Sequence, residues 1–317
     1  MQQANPVSQT AKACRTALVI VAGFSLAVNL LALASPIYMM QLFDKVLTSR
    51  SGDTLFWLTV ITAAATLVLC LIDGLRGQVL ARIGTWLDDR LGPQVFGGAL
   101  ALALKSDAAK GALALADLGA VKGFLTGPAV LPLFDAPWTP IFVIALFILH
   151  PYLGLVGLFG AVALFACAVL NEFATKGPLQ RANAATMRTR QRAEAALRNA
   201  EVIRAMGLAD GVVRLWRGQM AETNEAVRAA GVRGSAILGT SRFLRLMLQI
   251  VILGVGAWLV LKQEASPGAM FASSFLLSRA LSPVENAIGT WKSLVAARFA
   301  YRRLKELLAD RSSARRG

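Results

Sequence analysis

Three charged residues lie inside long apolar stretches of the sequence, where a charge is costly. They are Asp135, Arg279 and Glu285. Ionisable side chains at membrane depth are rare, and they are functional candidates by default. Two arrangements fit them: an internal salt bridge or snorkelling side chain without a further role, or the lining of a polar cavity. The sequence alone leaves both open.

Four prolines are expected to kink the helices that contain them, and three of the four lie close to these charges. A proline inside a helix removes one backbone hydrogen bond and clashes with the preceding turn. Two of them flank Asp135 and a third lies between Arg279 and Glu285, so unpaired carbonyls are expected beside the charges. The four residues are Pro132, Pro137, Pro178 and Pro283.

No catalytic, cofactor or metal site is expected in this sequence. Cys14, Cys70 and Cys167 are isolated, which is typical of small packing residues rather than of a disulfide framework or a zinc site. The lone His150 precedes Pro151 in a short turn and is expected at an interface rather than as a ligand. No Gly-Lys dipeptide occurs, so the phosphate-binding loop G-x-x-x-x-G-K-[ST] is absent and the chain by itself should not hydrolyse ATP.

The elements that must position the three charges are six long apolar stretches. The 317 residues are 56% hydrophobic and 16% charged, and one helical crossing of a bilayer needs about 20 apolar residues. This pattern predicts an all-α polytopic membrane protein. The expected spans are Ala17–Met40, Leu55–Ile72, Pro128–Leu149, Tyr152–Leu170, Leu246–Leu261 and Gly268–Ile288.

The first stretch has an alternative interpretation as a signal peptide. Lys12 and Arg15 precede it, and Ala32-Leu33-Ala34 resembles a cleavage site. The apolar character continues through Met40, which favours a retained span. Residues 1–16 are expected to be a loose polar lead-in to a transmembrane domain over residues 17–308.

The distribution of the net charge of +15 predicts the topology. Eleven Lys or Arg face six acids between Glu172 and Arg233, whereas the opposite linkers hold only Lys45, Arg50 and Lys262 as cations. Cations concentrated in alternate loops follow the positive-inside rule, so both termini are expected in the cytoplasm. The charge therefore needs no nucleic-acid partner. Arg242 and Arg245 are expected to snorkel at the inner interface.

Spans two and four continue beyond the membrane as amphipathic helix. The cytoplasmic loops, about residues 73–127 and 171–245, keep helical periodicity and turn back at polar breaks, Lys105–Gly111 and Gly207–Gly211. The arms are either solvated helix ends or levers that contact another domain at their tips, and the matched pair favours levers. The candidate contact residues are Lys105, Asp107, Leu208, Asp210, Leu215 and Trp216.

Five motifs in order make the chain similar to one family. They are Ser35-Pro-Ile-Tyr-Met-Met-Gln-Leu-Phe-Asp-Lys-Val-Leu-Thr-Ser-Arg50; Phe124-Leu-Thr-Gly-Pro128 with Leu133-Phe-Asp-Ala-Pro-Trp-Thr-Pro140; His150-Pro-Tyr-Leu-Gly154; Asn171-Glu172 with Gly177-Pro-Leu179; and Ser278-Arg-Ala-Leu-Ser-Pro-Val-Glu-Asn-Ala-Ile-Gly-Thr-Trp291. Over residues 18–308 the sequence resembles type I secretion permease/ATPases, the metalloprotease and RTX-toxin exporters among ABC transporters.

The resemblance implies a six-helix type 1 ABC exporter transmembrane domain with long cytoplasmic extensions, working as a homodimer in the bacterial inner membrane. It implies ATP and Mg on a nucleotide-binding domain, fused or separate, with residues 309–317 starting the linker to it. It also implies an unfolded polypeptide substrate, a periplasmic membrane-fusion adaptor and an outer-membrane channel. Asp135, Arg279 and Glu285 would then line or gate the substrate path.

Two other functions stay open at this point. One is an ABC exporter of lipids or drugs. The motifs around Asp135 and over Ser278–Trp291 favour protein export over this alternative. The other is a membrane receptor or scaffold that transports nothing. Such a protein has no need of two matched arms.

Overall fold

The structure is a computed structural model that describes residues 6–104 and 108–314, and within these residues it contains helices and no strand. The α-helices, in order, are α1 Pro6–Leu31, α2 Ala34–Gln41, α3 Leu47–Ser49, α4 Gly52–Leu104, α5 Ala108–Thr126, α6 Leu131–Asp135, α7 Thr139–Leu149, α8 Pro151–Arg198, α9 Ala200–Ala205, α10 Ala209–Leu261 and α11 Pro267–Ala314. The expected all-α membrane architecture is confirmed.

The start of the chain is more helical than expected. Helix α1 begins at Pro6, so the described part of the lead-in, residues 6–16, is helix and not a loose segment. A turn at Ala32 and Leu33 separates α1 from α2. The sequence predicts a short outer loop from Asp44 to Asp53, but this segment is also largely helical, because a π-helical segment, Leu42–Val46, joins α2 to α3. Only Arg50, in a left-handed conformation, and Ser51 then separate α3 from α4.

Helices α4 and α8 each carry an apolar stretch and a polar extension without interruption, which is the expected form of the arms. Pro93 and Pro178 lie inside these helices. The first polar break falls at residues 105–107, so Lys105 and Asp107 lie outside the described residues.

The second polar break is shorter than expected. It consists of Met206, Gly207 and Leu208, with Gly207 at a φ of +67° that a residue with a side chain rarely adopts. Helix α10 already begins at Ala209. Asp210, Leu215 and Trp216 therefore belong to the first two turns of a long helix and not to a loop.

The third apolar stretch is interrupted near its N-terminal end. After α5 ends at Thr126, residues 127–130 form a turn, and α6 is followed by a 3-10 helix, Ala136–Trp138, before α7. Prolines lie in the first two positions of α6, of the 3-10 helix and of α7. Because each lacks a backbone N–H, the chain restarts its helix three times here.

Five helical segments in the described chain are long and apolar enough to cross a membrane. They are Thr16–Ser49, Gly52–Leu102, Leu131–Leu149, Pro151–Arg198 and Ala209–Leu261. The sixth expected span, Gly268–Ile288, is helical in α11 but falls outside this group. Arg279, Glu285 and several serines make this segment less apolar than the other five. Many of its small residues are buried, among them Ala269, Ala272, Ser273, Ser274 and Ala280. Its crossing of the membrane stays a prediction.

The chain divides into two compact units. The first, here called the membrane unit, takes in the residues up to 84, 125–168 and 238–289. Its core joins side chains of five helices, with Phe142, Leu146, Leu164, Ile252 and Leu281 fully or almost fully buried. The carboxylate of Asp44 accepts hydrogen bonds from Ser266 Oγ (2.5 Å) and from the backbone N–H of Gly268 (2.9 Å) at the start of α11.

The second unit, here called the arm unit, takes in residues 85–124, 169–237 and 290 onward. Helices α4 and α5 pack closely in it: a Cβ on Gly111 would lie 2.6 Å from the Ala99 carbonyl oxygen, so only glycine fits there. Asp117, 4% exposed, accepts two hydrogen bonds from Arg303 of α11, from Nε at 2.7 Å and from Nη2 at 2.5 Å.

Candidate functional site

Asp135 lies in an ion-pair network and not alone. Its Oδ1 accepts a hydrogen bond from Arg76 Nη1 at 2.7 Å and a longer one from Asn29 Nδ2 at 3.4 Å. The same Nη1 donates to Ser25 Oγ at 2.9 Å, and Arg76 Nη2 lies 2.7 Å from Asp73 Oδ1. The network joins α1, α4 and the last residue of α6 inside the membrane unit.

Arg76 is the centre of this network. The residue is 4% exposed and contacts two carboxylates, while its Nε has no hydrogen-bond partner within the described residues. A buried guanidinium needs a paired anion because the desolvation of an isolated charge costs several kcal/mol. Asp135 therefore has a structural partner, and it holds the interrupted third span against the first two.

Glu285 forms a second ion-pair cluster. Its Oε2 lies 2.5 Å from Arg245 Nε, and its Oε1 lies 3.4 Å from Arg242 Nε. The Arg245 contact is ionic rather than a hydrogen bond, because the buried N–H of Nε has no acceptor in line among the described residues. Sequence reasoning missed this shared ion-pair partner, and the snorkelling of both arginines at the inner interface stays a prediction. Each lies beside the carboxylate of α11.

Arg279 differs from the other two candidates. Its side chain is exposed, and within the described residues it has no ion pair or hydrogen bond. Arg279 is twelve residues from the first residue of α11, Pro267, which corresponds to about 18 Å along the helix axis. If α11 crosses the membrane as expected, a charge at that depth is not stable against hydrocarbon, and this face of α11 would have to meet water or protein.

The residues around Arg279 extend its polar character along one face of α11. Ser282, Asn286 and Gly289 follow it at spacings of three and four residues, which places all four on the same side of the helix. Asn286 and Gly289 are exposed and Ser282 is half-buried, and Asn286 Nδ2 donates to Ser282 Oγ at 3.3 Å. We call Arg279, Ser282, Asn286 and Gly289 the polar face of α11.

The candidate contact residues of the second tip are exposed in the arm unit. Leu208, Leu215 and Trp216 are 49%, 69% and 40% exposed, and Asp210 is exposed beside them. Large apolar side chains grouped on a polar helix end are typical of an interaction surface. Lys105 and Asp107, the candidate contact residues of the first tip, lie outside the described residues.

Sequence reasoning missed Arg76, Asn29 and Ser25 as members of the Asp135 network. The available signal was Asp73 with Arg76 at i, i+3 spacing directly after the second apolar stretch, together with polar residues inside the first. The sequence does not tell which faces of the helices pack against each other, and this information was needed to predict the network. Among the described residues, no group of three or more His, Cys, Asp or Glu side chains has the arrangement of a metal site.

Comparison with known proteins identifies the family. Residues 18–283 match the family described as the ABC transporter transmembrane region. The chain is 36% identical over 296 residues to the type I secretion system ATP-binding protein PrsD of Rhizobium meliloti (strain 1021), covering 93% of this chain and 51% of the relative.

Two further relatives are exporters of toxins by name. The alpha-hemolysin translocation ATP-binding protein HlyB of Escherichia coli is 25% identical over 292 residues, 90% of this chain and 41% of the relative. The leukotoxin export ATP-binding protein LtxB of Aggregatibacter actinomycetemcomitans is 24% identical over 288 residues, again 90% of this chain and 41% of the relative. The chain thus spans about half the length of the curated relatives it matches. By the match over residues 18–283, the chain belongs to the family of ABC transporter transmembrane regions.

Proposed function

We propose that this chain is the transmembrane part of an ATP-driven ABC exporter of the type I secretion class, which moves unfolded polypeptide across the bacterial inner membrane. The similarity to PrsD and to two toxin exporters supports the class. The observation that carries the proposal is the polar face of α11, where an unpaired arginine lies among small polar residues inside an expected span.

A polypeptide in transit needs a path that offers water and hydrogen bonds to its backbone, because unsatisfied peptide groups in hydrocarbon cost several kcal/mol each. The polar face of α11 supplies side chains of this kind. Asp135 and Glu285 are proposed to act differently. Their charges are taken up by arginines of neighbouring helices, so they set the positions of spans three and six and leave Arg279 as the charge in the path.

ATP hydrolysis is assigned to a nucleotide-binding domain, fused or separate, that holds ATP and Mg. A homodimer would enclose the path between two copies of α11, and the exposed tip residues Leu215 and Trp216 would transmit the movement of the nucleotide-binding domain. Exposed aromatic and aliphatic residues are the usual anchors of such contacts. A periplasmic adaptor and an outer-membrane channel complete the proposed assembly, with both termini of this chain in the cytoplasm.

The path assignment is testable by cysteine accessibility in membranes. In a variant lacking Cys14, Cys70 and Cys167, a hydrophilic thiol reagent should modify Ser282→Cys and Asn286→Cys, since both positions would meet water. The matched control is Ile250→Cys on an apolar face of α10, which should stay unmodified. Bound substrate should protect positions 282 and 286. Equal, slow modification at all three positions would contradict the path.

A secretion assay separates protein export from the other functions. In cells that carry the chain with its nucleotide-binding domain, Arg279→Glu should reduce export of a type I substrate, whereas Arg228→Glu on the arm part of α10 should not. Resistance to lipophilic drugs or altered lipid distribution without any polypeptide export would point to the lipid or drug exporter instead.

A further inference from the structure

We propose that Arg242, with the apolar face of α10 that begins beside it, binds an anionic phospholipid of the cytoplasmic leaflet. The proposal rests on the proposed function only for its orientation, with the arms in the cytoplasm. The path through α11 and the coupling to ATP play no part in it. Three observations carry it: an excess of positive charge, an unbroken apolar face, and the spacing of sixteen residues between Arg242 and Trp258.

The charges in the Glu285 cluster do not balance. Two arginines share a single carboxylate. The side chain of Arg245 is 27% exposed and lies 2.5 Å from Glu285, while that of Arg242 is 64% exposed and lies 3.4 Å away. Arg245 therefore takes up most of the carboxylate charge, and Arg242 presents one positive charge at the surface of the membrane unit. A phosphodiester matches the planar donors of a guanidinium.

The surface next to Arg242 has the length and chemistry of an acyl chain. From residue 243 to residue 258, every exposed position of α10 is apolar. Three- and four-residue spacing places these positions on one face of the helix. They are Phe243, Leu246, Met247, Ile250, Val251, Gly254, Ala257 and Trp258. We call this set the apolar face of α10.

The far end of the apolar face marks the opposite interface. Trp258 lies there, with Lys262 Nζ 3.9 Å from its ring centroid, and tryptophan and lysine are typical of interfacial positions. The sixteen residues from Arg242 to Trp258 correspond to about 24 Å of helix, close to the ~30 Å thickness of the hydrocarbon. Arg242 therefore lies at headgroup depth in the leaflet that faces the arms.

A lipid fits this surface better than a protein partner. Protein interfaces inside a membrane are enriched in small residues that allow close helix packing, whereas six of the eight positions of the apolar face carry large side chains. The one charged residue, Arg242, lies at one end of the apolar face, as the charged headgroup lies at one end of a phospholipid. Cytoplasmic leaflets are negatively charged and attract such cations. A second copy of the chain is the alternative occupant, and the experiment below distinguishes the two.

The test uses the purified full chain in nanodiscs. Thermal unfolding is measured in phosphatidylcholine alone and with increasing phosphatidylglycerol, and native mass spectrometry counts the phospholipids retained after mild delipidation. Three variants are compared: Arg242→Gln, Glu285→Gln, and the matched control Arg228→Gln, which removes an exposed arginine from the arm part of the same helix. Inorganic phosphate added to phosphatidylcholine discs serves as the lipid-free anion.

The variants Arg242→Gln and Glu285→Gln should change phosphatidylglycerol binding in opposite directions. Arg242→Gln should weaken phosphatidylglycerol binding by about fivefold, and Glu285→Gln should strengthen it, because the second arginine is then released. Arg228→Gln and inorganic phosphate should have no effect. The proposal is overturned if Arg242→Gln leaves lipid binding unchanged, if both variants change it in the same direction, or if phosphate alone reproduces the stabilisation. Loss of a dimer on Arg242→Gln with unchanged lipid binding would identify the second copy as the occupant.

The lipid measurement is independent of export. If export proves independent of Arg279 while Arg242→Gln and Glu285→Gln still change phosphatidylglycerol binding in opposite directions, the proposed function is wrong and the lipid site stands. If export behaves as proposed and the lipid binding of Arg242→Gln is unchanged, the lipid site alone is wrong.

Discussion

Arg76 Nη1 lies 2.7 Å from Asp135 Oδ1, although 59 positions separate the two residues in the sequence. The pair connects a continuous helix, α4, to the end of a five-residue helix, α6, whose neighbouring segments are interrupted by prolines. A short helix has little stability of its own. The ion pair therefore fixes the place at which the third span re-enters the membrane unit.

This pair predicts an asymmetry between its two partners. Arg76→Met leaves Asp73 and Asp135 without a cation and should lower the free energy of unfolding by about 3–5 kcal/mol. Asp135→Asn should cost less, because Asp73 still pairs with Arg76 and an amide can accept the hydrogen bond. Thermal unfolding in detergent measures both. Equal losses, or a larger loss for Asp135→Asn, would contradict the central role of Arg76.

The pair between Arg303 and Asp117 should stabilise the arm unit. Its hydrogen bonds to Asp117 raise the pKa of Arg303 above its usual value. A raised pKa of a basic group gives stability that is lost only as pH rises through that pKa, so the arginine contributes no pH dependence in the usual range. Arg303→Ala should cost about 3 kcal/mol, since it leaves the buried Asp117 unpaired.

A matched substitution separates charge from geometry at this site. Arg303→Lys keeps the charge and loses the two-point contact with Asp117, so it should recover only part of the stability. Arg302→Ala is the control, because the exposed pair of Arg302 with Glu306 should be worth less than about 1 kcal/mol. Full recovery by lysine would show that the two-point contact is unimportant.

Cysteine labelling in intact cells tests the orientation. In a variant without the three native cysteines, an impermeant reagent should modify Glu264→Cys, in the short connection between α10 and α11, and not Arg198→Cys at the end of α8. Both side chains are exposed, so burial does not account for a difference. Cell lysis is the control and should make position 198 reactive. Modification of position 198 before lysis would invert the topology.

The exposed tip of the arm unit should couple ATP hydrolysis to export. In the protein carrying its nucleotide-binding domain, Leu215→Asp with Trp216→Asp should leave expression and dimerisation normal while hydrolysis continues without export. Both positions lie in the first turns of α10, so the change introduces charge on a helix surface and not in a loop. The measurement is ATP consumed per polypeptide exported. An unchanged ratio would mean that the tip is only a solvated helix start.

The sequence determined the helices and their surroundings, because hydrophobicity, periodicity and charge are properties of consecutive residues. The apolar stretches, the continuation of α4 and α8 into polar extensions, and the second polar break at Gly207 all follow from local patterns. The same local reasoning erred where apolar and polar signals are mixed. It predicted a loose lead-in over residues 1–16 and an outer loop from Asp44 to Asp53. The described residues 6–16 are helical, and so are residues 44–53 except Arg50 and Ser51, because helix propensity along the chain overrides polarity there.

Only the tertiary structure decided which charges are paired. Asp135, Arg279 and Glu285 look alike in the sequence, each a charge in an apolar stretch, yet two of them contact arginines of other helices and the third is exposed. Hydrophobic spacing tells which face of a helix is buried but not which helix covers it. That choice depends on long-range packing between helix faces, and it leaves Arg279 as the candidate for the path and Arg242 as the candidate for the lipid site.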